Sequence, residues 1–165
     1  MINNDLYHHG IKGMRWGVRK KPAKTWETKT KRGETITITK DKRSAIGNAI
    51  QKISGSNFDN YTARNKEGKK VGSIQLDLKN KDEMNVIWMD TKNGHKGKGY
   101  ATAVLKTGER IAKEMGAQKI TAEVVGNSPD MLHITDKRGY VRKGEIKTQE
   151  VLDAWGGLTL VEKRL

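Results

Sequence analysis

The chain has no cysteine. Disulfides, thiolate metal sites and a cysteine nucleophile are therefore excluded. No run of about 18 apolar residues is present, so no membrane-spanning helix is expected. The opening residues, MINNDLYHHG, contain no apolar segment, and a secretory signal is not expected. Apolar residues make up 34% of the 165, with a mean hydropathy of −0.80. Such a composition supports one modest core and a tail rather than two domains. Metal ligation is not expected either. His8-His9 is too short a run, and the four histidines are not joined by clustered carboxylates.

What the chain does have is positive charge. The formal net charge is +14. Residues 1–70 carry 17 Lys and Arg against 6 Asp and Glu, while residues 71–165 carry 16 against 13. The excess belongs to the front, where it suits contact with nucleic acid, an anionic surface or an acidic protein, or simply keeps a tail solvated.

Residues 1–32 read as a basic flexible tail, because Gly10, Gly13 and Gly17 interrupt any helix and no apolar period holds. A folded domain is expected over 33–165. GETITITK (33–40) alternates like a half-buried strand. Ala45, Ile46, Ala49, Ile50 and Ile53 share one helical face after Asp41. Tyr61–Asn65 and Lys70–Lys79 are strand candidates around the turn KEGK (66–69), with a second turn at NKDE (80–83). Met84–Thr91 alternates with bulk on both faces, as a central strand does.

A glycine-rich basic loop, NGHKGKG (93–99), then opens the clearest helix, about Tyr100 to Met115. Its apolar stripe is Ala101, Val104, Leu105, Gly108, Ile111, Ala112 and Met115, and Gly116 ends it. Lys119–Val125 reads as a strand, GNSPD (126–130) as a break with Ser128 and Pro129 starting a short helix, and Gly139–Ile146 and Leu158–Lys163 as closing strands. The order mixes antiparallel hairpins with one strand–helix–strand crossover, an α/β (mixed α+β) arrangement.

A strand entering a glycine loop that opens a helix is a phosphate-binding geometry. The first helical amides lack intrahelical acceptors, and the helix N-terminus carries partial positive charge. Gly97 and Gly99 permit close backbone approach, and Lys96 and Lys98 add charge. The loop is neither a P-loop nor a dinucleotide fingerprint.

The segment Lys96-Gly97-Lys98-Gly99-Tyr100-Ala101 resembles the acetyl-CoA signature of the GNAT (Gcn5-related N-acetyltransferase) superfamily, with Lys96 where Arg or Gln is usual. The helix that follows, Asn127 after a strand, the run DKRGY (136–140) and the final LTLVEKRL (158–165) are also similar to that family. The resemblance implies a twisted mixed sheet whose central strands splay apart, flanked by helices, with acetyl-CoA as cosubstrate in the splay. It implies backbone contacts near Met89–Thr91, a pyrophosphate held by Lys96, Gly97, Lys98, Gly99, Tyr100 and Ala101, and a contact from Asn127. It implies an N-acetyltransferase in which an amine of unknown identity attacks the thioester directly, which needs a base and a proton for the leaving thiolate.

Counted back from Gly139-Tyr140, the family's frequent general-acid tyrosine falls at Thr135. A threonine hydroxyl is a poor acid. Another donor, a hydrogen-bonding role alone, or an inactive site are the alternatives. Candidate bases are Glu123, Asp90 and Glu83, with His95 and His133 as candidate proton carriers. Tyr140 reads as core.

Residues 7–20, YHHGIKGMRWGVRK, resemble a short motif that recurs in bacteriophage and prophage proteins, often among head or structural genes. Ile11 and Trp16 are apolar anchors in a basic strip, suited to docking on a phage structural protein or on nucleic acid. This resemblance implies a phage- or prophage-encoded protein working in the bacterial host cytoplasm or on the virion. Two readings stand: an acetyltransferase recruited by its tail, and a catalytically degenerate GNAT-like structural or binding protein of the phage head. A nucleic-acid module is a third, disfavoured by the near-balanced charge of 71–165.

Overall fold

The computed structural model describes residues 24–43, 48, 58–92, 95 and 97–165. The basic motif at 7–20, the expected helical face from Ala45 to Ile53, and Lys96 lie outside the described residues.

The first strand, β1 (Thr25–Lys29), falls within the stretch expected to be tail. It pairs antiparallel with β2 (Thr35–Lys40), and Trp26 is 5% exposed. Trp26 meets Tyr61 edge to face at 5.6 Å, and its indole N–H donates to Glu114 at 3.0 Å. The ordered sheet therefore starts before residue 33. A single tryptophan among charges shows no period, and alternation alone does not mark such a strand.

β3 (Phe58–Asn65), β4 (Lys70–Asn80) and β5 (Glu83–Thr91) continue the antiparallel meander. The β3–β4 turn forms at the expected place, with Asn65 Oδ1 accepting from the Lys69 amide at 2.9 Å and Gly68 at φ 78°. Next come α1 (Tyr100–Glu114), β6 (Lys119–Val125), α2 (Pro129–Lys137), β7 (Val141–Ile146), α3 (Gln149–Trp155) and β8 (Leu158–Arg164). α3 was not expected. Its seven residues show too short a pattern, and Thr148 caps it by accepting from the Val151 amide at 3.4 Å.

The eight described strands form one mixed sheet in the order β1-β2-β3-β4-β5-β6-β8-β7. Among them only β5 and β6 run parallel, joined by α1. α1 packs Val104, Leu105, Gly108, Ile111 and Ala112 against the sheet, whereas Met115 at its end is 43% exposed. The helix sits close enough that a Cβ on Gly108 would lie 2.7 Å from Ile74 Cδ1. Ile74, Leu76, Met84, Ile120, Ala122 and Val161 complete this buried face. The core is apolar on a strict alternation in β6, where Ile120, Ala122 and Val124 point in.

Candidate active site

β5 and β6 pair only from Glu83–Lys119 to Val86–Ala122. Beyond that point they part. Gln75 lies opposite Trp88 and Leu76 opposite Val86, which leaves Ile87 as the extra residue of a β-bulge. β6 meanwhile stays paired with β8 as far as Val125. The bulge also breaks the inside–outside alternation expected of this strand: Met84 and Val86 are buried, but Trp88 is 56% exposed. The backbone of β5 past Val86 thus has its β6-facing edge open, with groups able to pair with a ligand.

The parting opens a cleft of about 490 Å³. One wall is Met89, Asp90 and Thr91 of β5. Gly97, Gly99, Tyr100, Ala101 and Thr102 form its head. The opposite wall runs from Asn127 through α2 to Ile134. Gly97 and Gly99 take φ values of 72° and 85°, which only glycine adopts without strain. Gly99 is the N-cap of α1, with no side-chain cap, and no acidic residue occupies the first turn. The leading amides of α1 therefore keep their anion-binding capacity.

The loop is braced from the front of the chain. A Cβ on Gly99 would lie 3.2 Å from the Lys31 amide nitrogen, so the β1–β2 turn closes over it. Tyr100 is buried, and its hydroxyl donates to the Glu34 carboxylate. Burial, and then Glu34, pushes the Tyr100 phenol up to about 12. Sequence reasoning missed this brace. A turn of the form Lys-Arg-Gly-Glu carries no mark of its tertiary partner.

Asp90 lines the cleft, and its Oδ1 accepts from the Ser73 hydroxyl on β4. His95 and His133 line it too. The His95 ring meets Tyr100 edge to face at 5.2 Å, and its Nδ1 is buried without a hydrogen-bond partner among the described residues. Asn127 lines the cleft while its amide donates to the Trp155 carbonyl at 3.2 Å, which ties α3 to the cleft edge. Met89, Thr91, Gly97, Gly99, Tyr100 and Ala101 come together as expected. Ser128, Asp130 and Met131 of the α2 start also line it and were not anticipated as site residues. Lys98 is half-buried but does not line the cleft.

Three of the acid–base candidates lie elsewhere. Thr135 is fully buried, and its hydroxyl donates to the Leu132 carbonyl at 2.9 Å, so it faces the interior of its own helix turn rather than the cleft. Glu123 is exposed on β6 opposite Leu160, outside the cleft lining. Glu83 is placed well below the bulge, within 3.1 Å of Lys119. Tyr140 is core, 5% exposed beneath Lys163, and its phenol is held far above its ordinary range by burial and by the Glu109 charge. Among the described residues no group of three or more His, Cys, Asp or Glu is placed to hold a metal ion. No described helix is long and apolar enough to cross a membrane.

Residues 26–140 match the model of the Acetyltransferase (GNAT) family, and residues 2–23 match a family of unknown function. No curated protein matches the chain. Several solved structures share the fold. The GNAT domain of S. lividans PAT aligns at 16% identity over 86% of this chain and 97% of that one, with a TM-score of 0.64. A GNAT family acetyltransferase from Elizabethkingia anophelis with acetyl-CoA bound aligns at 14% over 79% and 98%, TM-score 0.63. The spermidine N-acetyltransferase of Vibrio cholerae aligns at 14% over 72% of both chains, TM-score 0.60.

Proposed function

The chain belongs to the GNAT acetyltransferase family, and from that premise we propose that it transfers an acetyl group from acetyl-CoA to an amine. The observation that carries this reading is the cleft itself: a parted parallel strand pair, with an uncapped, acid-free helix N-terminus at its head. The open β5 edge from Met89 to Thr91 receives the pantetheine arm and the acetyl carbonyl. The amides of Gly97 to Ala101, with Lys96, take the pyrophosphate, and Asn127 meets the arm from the far wall; Lys98, which does not line the cleft, has no part in the scheme.

The acceptor nitrogen attacks the thioester carbon. Its proton passes to Asp90, directly or through a water, and the C–S bond of the tetrahedral intermediate breaks to release a thiolate. His133, on the opposite wall, supplies the proton to that thiolate, and His95 is a second carrier. Thr135 and Glu123 have no part in this scheme, since neither lines the cleft.

Acetyl-CoA binding tests the premise. The wild type is expected to gain thermal stability with acetyl-CoA, by mass action, and Gly99→Asp to lose that gain. No stabilisation of the wild type would sink the reading. Release of CoA thiol across a panel of amines then tests turnover. The buried Thr135 hydroxyl, turned from the cleft, favours one second reading, a chain that binds acetyl-CoA without turnover; a structural or binding role on the phage head is the form of it that the tail motif suggests. Binding with no thiol release for any amine would support it.

We infer further that residues 7–20 address the protein to a partner, a phage structural protein or nucleic acid, in the bacterial cytoplasm or on a virion. The separate family match at 2–23 supports treating this segment as a unit. Pull-down with and without residues 1–23 tests it, and equal recovery would count against it.

A further inference from the structure

The near-balanced charge of residues 71–165 hides a local segregation. A second cavity, of about 360 Å³, lies along the exposed side of α1. It is lined by six cationic side chains, Lys106, Arg110, Lys113, Arg138, Lys163 and Arg164, and by one carboxylate side chain, Glu109.

Glu109 forms the floor. Its side chain is 8% exposed and is shared by two cations: Arg138 donates Nε to Oε1 at 3.0 Å and Nη2 to Oε2, and Lys163 lies 2.8 Å from Oε2. Arg138 and Lys163 are themselves only 23% and 21% exposed. One negative charge therefore offsets two partly buried positive ones. Above them Lys106, Arg110 and Lys113 stand at i, i+4 and i+7 on one helix face, where like charges repel. Arg110 has Glu114 at 3.4 Å. Lys113 gains from the helix C-terminus. Lys106 and Arg164 have no ion pair among the described residues and no such compensation.

A concave site with this excess of positive charge attracts a multiply charged anion. Among the described residues no aromatic side chain lines it, so none of them is placed to stack on a base or sugar ring. We propose that this cavity binds a short phosphate chain, of the size and charge of an inorganic oligophosphate, through Lys106, Lys113, Arg164 and the Arg138–Lys163 floor. The site is separate from the acetyl-CoA cleft, which lies at the N-terminus of the same helix, and the inference stands whether or not the chain transfers acetyl groups.

Calorimetric titration of the full chain with sodium tripolyphosphate tests it, run with acetyl-CoA at saturation so that the cleft's phosphate loop is occupied. Lys106→Ala with Lys113→Ala is expected to weaken binding about tenfold, since two exposed contacts are lost. Lys66→Ala with Lys69→Ala, which removes the same charge from the β3–β4 turn, is expected to stay within about twofold, by screening. Acetyl-CoA affinity of both variants should match the wild type. Two results would overturn the proposal: no tripolyphosphate binding by the wild type, or equal binding by the Lys106/Lys113 variant.

Discussion

The Tyr100 hydroxyl, on the first residue of α1, donates to the Glu34 carboxylate beside β2. That one bond joins the helix that the glycine loop opens to the front hairpin of the sheet. A hydrogen bond to a charged group contributes about 1.5–3 kcal/mol. Glu34 is half-buried and regains water when the phenol is removed, so Tyr100→Phe is expected at the lower end. The melting temperature should fall by about 3–5 °C, and acetyl-CoA should bind more weakly. An unchanged melting temperature would mean the brace carries no energy.

Alkali should destabilise the protein through its buried phenols. Burial raises the phenols of Tyr61 and Tyr100 from 10.0 to about 12. The folded chain then holds these protons at a pH where the unfolded chain has lost them. Their stabilising contribution is full below about pH 10 and is lost as pH rises towards about 12. Melting temperature against pH should drop through that window, less steeply in Tyr100→Phe. A flat profile from pH 10 to 12 would refute the burial argument.

Gly72 lies opposite Thr91, and a Cβ there would sit 2.7 Å from the Asp90 carbonyl oxygen. That contact is with backbone, which yields little. Gly72→Ala is expected to cost about 1–3 kcal/mol, as overpacking does, and to lower kcat/KM by displacing Asp90. Gly116→Ala makes the contrast: φ is 92° with nothing within 4 Å, so it should cost about 1–2 kcal/mol of backbone strain and leave kcat/KM alone. Equal effects on catalysis would separate Asp90 from the mechanism.

Asp90→Asn and Thr135→Val should behave oppositely. The first removes the proposed base and is expected to lower kcat by about 100-fold or more, in the usual range for acid–base groups, with little change in melting temperature. The second removes a buried hydroxyl bonded to Leu132 and should cost about 1 kcal/mol of stability with kcat retained. Loss of kcat in Thr135→Val would restore threonine to the chemistry.

Glu109→Gln leaves Arg138 and Lys163 without their shared carboxylate. Uncompensated buried charge costs about 3–5 kcal/mol, and partial exposure of both cations should bring the loss to about 2 kcal/mol. Denaturant unfolding reads it directly. A stability equal to wild type would mean that water already solvates the pair.

Local chemistry made much of this protein readable in advance. The helix from Tyr100 shows in its 3.6-residue stripe, and Gly116 at φ 92° ends it as the left-handed closing position requires. The glycine loop shows because positive φ demands glycine, and Gly97 and Gly99 do take it. Strands β4 and β6 show in their alternation. Contacts between distant elements left no such trace. β1 carries one buried side chain of note, Trp26, whose partners Tyr61 and Glu114 are 35 and 88 residues away. α3 has no buried residue and so no stripe to find.

The candidate site divides along the same line. Backbone demands are local, so the residues themselves determined where a positive-φ glycine loop would open the helix. Side-chain direction is not local. The bulge at Ile87 exists because β5 pairs with β4 in one register and leaves β6 after Val86, and only that three-strand arrangement exposes Trp88 and turns Asp90 to the cleft. Counting from Gly139-Tyr140 reached Thr135, but the packing of α2 on the core decided that its hydroxyl would satisfy Leu132 and that His133, two residues earlier, would face the cleft instead.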